Sequence, residues 1–426
     1  MATILVYTTP ARGHLYPIVG TALALARRGH DVHVRTLASE VRAVEEAGLR
    51  GRPIAPAIEA RAIDDWQVRS PLASVKRAVR TFLDRATLEI DDLRDAIRDE
   101  RPDFLLIDTN AWGAQAVAEA SGLPWATWHP FPLPYPSRDA PPFGPGLAPA
   151  RGPLGRLRDR LLRPLVVGPF ERVRRELSAI RAQAGAPPLD RFLDLFLRPP
   201  LLLSLSAEPF EYRRRDWPSN VRLVGPGLWA PPSETPRWLA ELPASKPLLL
   251  VTCSSEFQDD GALVDAALGA FAGDERFTVV CTTAGVDPAP YRGRAPSVVV
   301  ERFAPHAQLV PRAAAVVCHG GMGITQRALA AGVPPCVVPW GRDQLEVARR
   351  VVEAQAGAML PRRKLTPARL RAAVDESLAR AAGAATIAEA FSAAGGAERA
   401  ALLVEESLRP TTRPAPQSVV DTHAHA

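Results

Sequence analysis

The sequence predicts an α/β chain built of two doubly wound parallel sheets, and three observations carry that expectation. Short apolar runs alternate with amphipathic helical runs from end to end, the pattern of repeated strand–helix–strand units. At 426 residues the chain is too long for one ordinary core and suggests two domains of roughly 200 residues each. A proline-rich stretch from Asp216 to Pro247 divides the two series of strands.

In chain order, Ile4 to Thr8 reads as a strand, Pro17 to Arg28 as an amphipathic helix ended by Gly29, and Val32 to Thr36 as the next strand. A charged helix from Thr87 to Arg101 precedes the buried strand Phe104 to Asp108, and a helix closed by Gly122 precedes the strand Trp125 to Trp128. Proline and glycine crowd residues 130 to 153, so a long irregular loop is expected there, and Leu201 to Ser206 resumes strand. The second series runs through Leu248 to Thr252, Phe277 to Thr282, Ser297 to Val300, Ala315 to Cys318 and Pro335 to Val338, with final helices over Pro367 to Ala381 and Ala384 to Glu406. The expected boundaries are a first domain over 1–215, a linker over 216–246, a second domain over 247–390, a last helix over 391–409 and a disordered polar tail over 410–426.

The net charge of +6 comes from arginines spread along the chain, and no nucleic-acid module accompanies it, so no nucleic-acid partner is expected. The chain opens on a strand rather than a cleavable leader, and no apolar run reaches the roughly 18 residues of a spanning helix, which points to the cytoplasm. Arginines between Arg151 and Arg163 interleave with leucines, a pattern that also suits a membrane surface, but the expectation is a monomer or homodimer without membrane association. The four cysteines fall in or beside apolar strands and read as small buried hydrophobes, without metal-ligand spacing.

The chemistry concentrates after the strand Ala315 to Cys318, where His319-Gly320-Gly321-Met322-Gly323 leads into a helix. Glycines at a strand-to-helix turn let backbone approach an anion, and the helix start offers unpaired N–H groups and a positive dipole end. Phe303-Ala304-Pro305-His306 lies upstream; Ala331-Gly332-Val333-Pro334 and Asp343-Gln344 lie downstream.

This order of motifs resembles the nucleotide-sugar signature of the family 1 glycosyltransferases, and Gly13-His14-Leu15-Tyr16-Pro17 matches the Gly-His-x-x-Pro that follows their first strand. The resemblance covers nearly the whole chain and is strongest to bacterial natural-product transferases of the antibiotic or macrolide type. It implies the GT-B fold, two Rossmann-like domains facing a central cleft, with the last helix crossing back onto the first domain. It further implies an inverting transfer of a sugar from a UDP- or dTDP-sugar to a hydrophobic small-molecule acceptor.

The first turn, Thr9 to His14, holds one glycine where a dinucleotide fingerprint needs three, so it is better suited to present a side chain. His14 is the group there able to titrate near neutral pH, and sugar transfer to a hydroxyl needs a base. Asp108, at the carboxyl end of its strand, is its expected partner, the role the family's aspartate plays at that strand end. On the donor side the resemblance assigns Phe303 and Ala304 to the base, beside His306 in place of the usual glutamine. Thr252, Ser254, Ser255, His319, Gly321, Gly323 and Thr325 fall to the diphosphate, and Asp343 with Gln344 to the sugar hydroxyls.

Two departures stand out. Arg327 occupies the position of the usual ribose-binding glutamate, which favours a deoxyribose donor at least as much as UDP, and Ile324 replaces a small polar residue. No metal or cofactor is implied. Trp66, Phe82, Trp112, Phe131 and Phe143 are candidate acceptor-cleft aromatics. The competing readings are a sugar-nucleotide epimerase on the same fold and a non-catalytic protein that binds nucleotide sugars.

Overall fold

The computed structural model describes residues 1–408 except Arg69 and Ala244; the expected tail at 410–426 lies outside the described residues. Two all-parallel sheets form, as the alternating pattern predicts. The first contains β1 (Thr3–Tyr7), β2 (Asp31–Thr36), β3 (Arg50–Pro53), β4 (Phe104–Asp108), β5 (Trp125–His129), β6 (Leu202–Ser204) and β7 (Val221–Leu223), in the order β3-β2-β1-β4-β5-β6-β7. The second contains β8 (Leu248–Thr252), β9 (Thr278–Thr282), β10 (Val298–Glu301), β11 (Ala313–Cys318), β12 (Pro335–Val337) and β13 (Ala358–Met359), in the order β10-β9-β8-β11-β12-β13. Because the central strands are covered on both faces, β4, β5 and β8 are buried at every position, which is why they read as continuous apolar runs.

Six helices matter below: α1 (Arg12–Arg27), α2 (Pro71–Glu100), α3 (Pro153–Glu171), α4 (Met322–Ala330), α5 (Gln344–Glu353) and α6 (Gly396–Leu408). α2 starts sixteen residues before the charged helix expected from Thr87, because its first half also carries a buried stripe, Val79, Leu83 and Ala86, against the first sheet. β7 falls inside the stretch expected to be linker. Prolines flank it, but Val221-Arg222-Leu223 pairs with β6, and Asn220 ties it down by donating to Phe196 O and Pro199 O, each at 2.9 Å.

The two domains are stapled by the chain itself. Ala400, Ala401, Leu403 and Val404 of α6 are buried in the core beneath α1, and Arg27–Glu398 and Arg28–Glu405 ion pairs (2.7 and 2.9 Å) flank that contact. The outgoing and returning crossings touch. A Cβ on Gly225, which sits at φ +86°, would lie 3.1 Å from Ala394 Cβ and 3.3 Å from Gly396 N.

A buried ionic network also spans the domains. Arg350 of α5 donates to Glu211 (2.8 Å) and to Glu346 (2.9 Å), stacks on Tyr212 at 4.2 Å, and shares Glu211 with Arg214. Burial would raise the Glu211 pKa, but Arg350 and Arg214 hold it below the usual carboxylate range. The free Glu346 oxygen accepts from Gly144 N and Gly146 N at 2.8 and 2.9 Å, which pins the irregular loop of the first domain to the second.

Removing one member of this network strands an uncompensated charge. Arg350→Met is expected to lower stability by about 3–5 kcal/mol, read as a shift of the urea midpoint; a loss under about 1 kcal/mol would count against the network's structural role.

Candidate active site

Each sheet has one place where successive connections leave in opposite directions, β1/β4 in the first and β8/β11 in the second. At such switch points the carboxyl ends of the strands open a crevice. His14 and Asp108 stand at the first of these, and Thr252 and His319 at the second.

At β1/β4, His14 lies in the first turn of α1 and Asp108 ends β4. His14 Nδ1 is 2.9 Å from Asp108 Oδ1 and 3.0 Å from Oδ2. A carboxylate only accepts, so the ring proton sits on Nδ1 and leaves Nε2 with its lone pair. Asp108 is fully buried, and Thr9 N–H (3.3 Å) and Asn110 N–H (2.8 Å) fix its orientation by donating to it. The Asn110 amide nitrogen lies 3.4 Å from Nε2, and the Phe131 ring stands edge-on to the imidazole at 5.8 Å. Behind Phe131, His129 is buried, with Nδ1 3.1 Å from Thr109 Oγ1, and burial holds its pKa down to about 3, so it is a neutral packing group.

At β8/β11, His319 closes the strand and is 7% exposed, and burial lowers its pKa to about 4. Gly320 adopts φ +93°, and a Cβ on Gly321 would fall 2.3 Å from His319 Nε2. Glycine there is therefore a packing requirement of the imidazole as well as a turn requirement. α4 begins at once, with Thr325 N–H closing its first turn on Gly321 O, so the amides of residues 322–324 have no partner within the helix. A Cβ on Gly323 meets nothing within 4 Å, so the helix surface at that position is open.

Thr325 departs from the expectation. It is completely buried, and its hydroxyl lies 3.7 Å from Cys318 Sγ, because its helical position turns it onto β11 and away from the crevice. Thr252 ends β8 and is buried, with its hydroxyl on Cys253 O at 3.1 Å. Ser254 Oγ accepts from Gln258, whose carbonyl oxygen accepts from Gln344; Gln344 in turn accepts from Trp340 N and Gly341 N. Ser254 and Gln344 thus brace the floor of the crevice, while Ser255 is exposed. Asp343 is the residue before α5; burial raises its carboxyl above the usual range, and its own backbone N–H and the neighbouring Arg342 guanidinium act against that rise.

Phe303, just beyond β10, is 63% exposed, the most exposed aromatic among the described residues, beside the half-buried Ala304. His306 Nε2 is 3.0 Å from Thr282 Oγ1, and burial lowers its pKa to about 4. Arg327 is spent on the linker, donating to Leu228 O at 2.8 Å and Trp229 O at 3.0 Å.

The aromatic candidates separate. Phe131 borders His14 and Phe143 is half-buried on the loop held by Glu346. Trp112 is 5% exposed and enclosed by Phe82 and Phe192, so it belongs to the core between α2 and the first sheet, with Phe82 packed on its rim. Trp66 meets Phe257 of the second domain at 4.8 Å, next to the Asp65–Arg342 ion pair at 2.8 Å; together they bridge the cleft mouth. Sequence reading missed that pair, as well as Glu346, Arg350 and Gln258. Polar and charged residues in an irregular loop or a helix carry no local signal of a partner 86 to 277 residues away.

Among the described residues, no group of three or more His, Cys, Asp or Glu side chains is placed to hold a metal ion, and no helix is long and apolar enough to cross a membrane.

Known proteins resemble this chain in sequence and fold. Residues 287–406 match the family described as Erythromycin biosynthesis protein CIII-like, C-terminal domain. The 4'-demethylrebeccamycin synthase of Lentzea aerocolonigenes is 33% identical over 385 residues, covering 88% of this chain and 91% of that protein. The crystal structure of the glycotransferase of kitacinnamycin superposes with a TM-score of 0.76 at 26% identity, covering 96% of this chain and 99% of its own. The glycosyltransferase VinC, solved with dTDP, superposes with a TM-score of 0.70 at 22% identity over 95% of this chain and 99% of its own.

Open space at Gly323 makes it a clean probe of what occupies the crevice. Gly323→Ala is expected to leave the unfolding midpoint unchanged and to weaken nucleoside diphosphate binding about tenfold, measured by calorimetry. Unaltered binding would place the ligand elsewhere.

Proposed function

Because the chain belongs to the natural-product glycosyltransferases of the GT-B fold, we propose that it inverts the anomeric centre of a dTDP- or UDP-linked sugar while moving it to a hydroxyl of a hydrophobic small molecule, with His14 as base and Asp108 as its support. The observation that carries this reading is the His14–Asp108 pair at one switch point, opposite the His319–Gly321 turn and Asp343 at the other.

Each side supplies what the other half of the reaction lacks. As the acceptor oxygen attacks the anomeric carbon, His14 Nε2 takes its proton, and Asp108 stabilises the imidazolium that forms. The bond from the anomeric carbon to the diphosphate breaks on the opposite face, so configuration inverts. The leaving diphosphate gains negative charge where the unpaired amides of residues 322–324, the start of α4 and the neutral His319 ring offer donors. Asp343 is the acceptor for sugar hydroxyls, and Gln344 acts by holding the Trp340–Gly341 turn and Gln258 in place. Phe303 offers its exposed ring to the base. Phe131 flanks the acceptor hydroxyl, and we assign the cleft mouth near Trp66 to the body of the acceptor.

Arg327 bears on donor choice. With its guanidinium committed to the linker carbonyls, no carboxylate from this helix position serves a ribose diol. The dTDP donor therefore loses nothing relative to UDP at this position, and a clear tenfold preference for UDP in competitive binding would overturn that part.

The direct test incubates the purified chain with dTDP- and UDP-sugars and a panel of apolar polyphenol and polyketide aglycones, with product read by mass spectrometry. His14→Ala is expected to lower transfer by about 10²–10⁴-fold and Asp108→Asn by a similar factor, with nucleotide affinity retained. Transfer by His14→Ala at more than a tenth of the native rate would remove the base assignment.

A further inference from the structure

α3 runs from the end of the irregular loop across the outside of the first domain, and its solvent face has an unusual composition. The exposed positions of this helix are Pro153, Leu154, Arg156, Leu157, Arg160, Leu161, Pro164 and Leu165. The four leucines are 82, 52, 65 and 71% exposed and recur at spacings of three and four, so they form one stripe of about 17 Å along the helix. No acidic residue shares that face. Asp159, the helix's internal carboxylate, is buried and held by Arg158 at 2.7 Å, and Glu171 at its end accepts from Phe192 N at 2.8 Å.

Beside the stripe lies a groove of about 670 Å³ between α3 and the segment after β5. Arg138, Arg156, Arg160, Arg163 and Arg191 line it, against the two carboxylates Asp159 and Glu171. Among the described residues the first three make no side-chain hydrogen bond or ion pair, and Arg163 spends one nitrogen on Ser137 O while its buried Nε has no partner. The other arginine of the groove, Arg191, is satisfied by Asp194. Leucines that gain nothing from water, next to a groove whose five arginines outnumber its two carboxylates, define an occupant that is both apolar and anionic.

We propose that α3 docks this protein on the surface of an anionic lipid bilayer, its leucines entering the acyl boundary and the groove arginines receiving lipid phosphates. A helix lying in an interface carries this combination of one apolar face and flanking basic residues. A second copy of the chain fits less well, because a two-fold contact through this face would set Arg156 and Arg160 against their own images with no exposed carboxylate on the face to offset them. The placement has a use. α3 follows directly on the loop that Glu346 pins at the cleft, and Arg158 holds that loop again through Ala148 O at 2.7 Å. A membrane-dissolved acceptor would thus be delivered beside the cleft rather than through bulk water.

The experiment uses the full chain with extruded vesicles of phosphatidylcholine alone or with about 30% phosphatidylglycerol, co-sedimented in low and high salt. Binding is expected to the anionic vesicles, at least about tenfold weaker on the neutral ones, and weakened by salt. The pair Arg156→Glu with Arg160→Glu should lower it by at least about tenfold, and Leu157→Ser with Leu161→Ser should abolish it. All four positions are exposed, so both double variants should keep the native unfolding midpoint and transferase activity on a water-soluble acceptor. Failure of the native chain to bind anionic vesicles, or binding indifferent to both pairs, overturns the proposal. So does a dimer seen by light scattering that the leucine pair dissolves without any vesicle binding.

Discussion

Four buried charges, Glu211, Arg214, Glu346 and Arg350, form the closed ionic set that joins the two domains. The two half-sites belong to different domains, so their separation is set by whatever fixes one domain against the other. A hydrophobic interface would tolerate sliding. A closed set of charge-assisted bonds does not, because each guanidinium must meet its carboxylate within hydrogen-bond reach or remain uncompensated in a poorly solvated place. Glu346 extends the same set to the backbone of residues 144 and 146, so the loop of the first domain is positioned from the second.

The site follows a division of labour between side chains that touch ligand space and side chains that hold them. In the proposed reading His14, Phe303, Asp343 and the amides of residues 322–324 meet the ligands. Asp108 is the brace for the first, and the Gln344–Gln258–Ser254 chain is the brace for the turn before Asp343. A polar residue of a binding motif can therefore belong to either group, and burial with a full set of hydrogen-bond partners tells which.

The parallel α/β class, most strand positions and the chemistry-bearing turns were legible because they have local causes. Apolar runs reveal buried strands, glycines reveal the turn at residue 320, and His14 and Asp108 stand at strand ends where a parallel sheet opens. What was illegible depends on distance or on helix phase. Thr325 stands in the motif beside the anion turn, yet a helix rotates 100° per residue and carries its hydroxyl to Cys318. Trp112 looks like a cleft aromatic until Phe82 and Phe192 enclose it. β7 was hidden by flanking prolines, since its three residues gain stability only from a partner strand already in place. Asp65 and Arg342, 277 residues apart, share no sequence pattern at all.

The touching crossings at Gly225 and Gly396 carry a mechanical consequence. Two separated connections would resist relative rotation of the domains like a door on two hinges set out of line. Two connections at one point act as a single pivot, and displacement grows with distance from it. The contacts that span the far rim, Asp65 with Arg342 and Trp66 with Phe257, therefore have the longest lever arm. A rotation about that point would strain those rim contacts most, and the buried Arg350–Glu211–Glu346 set opposes it.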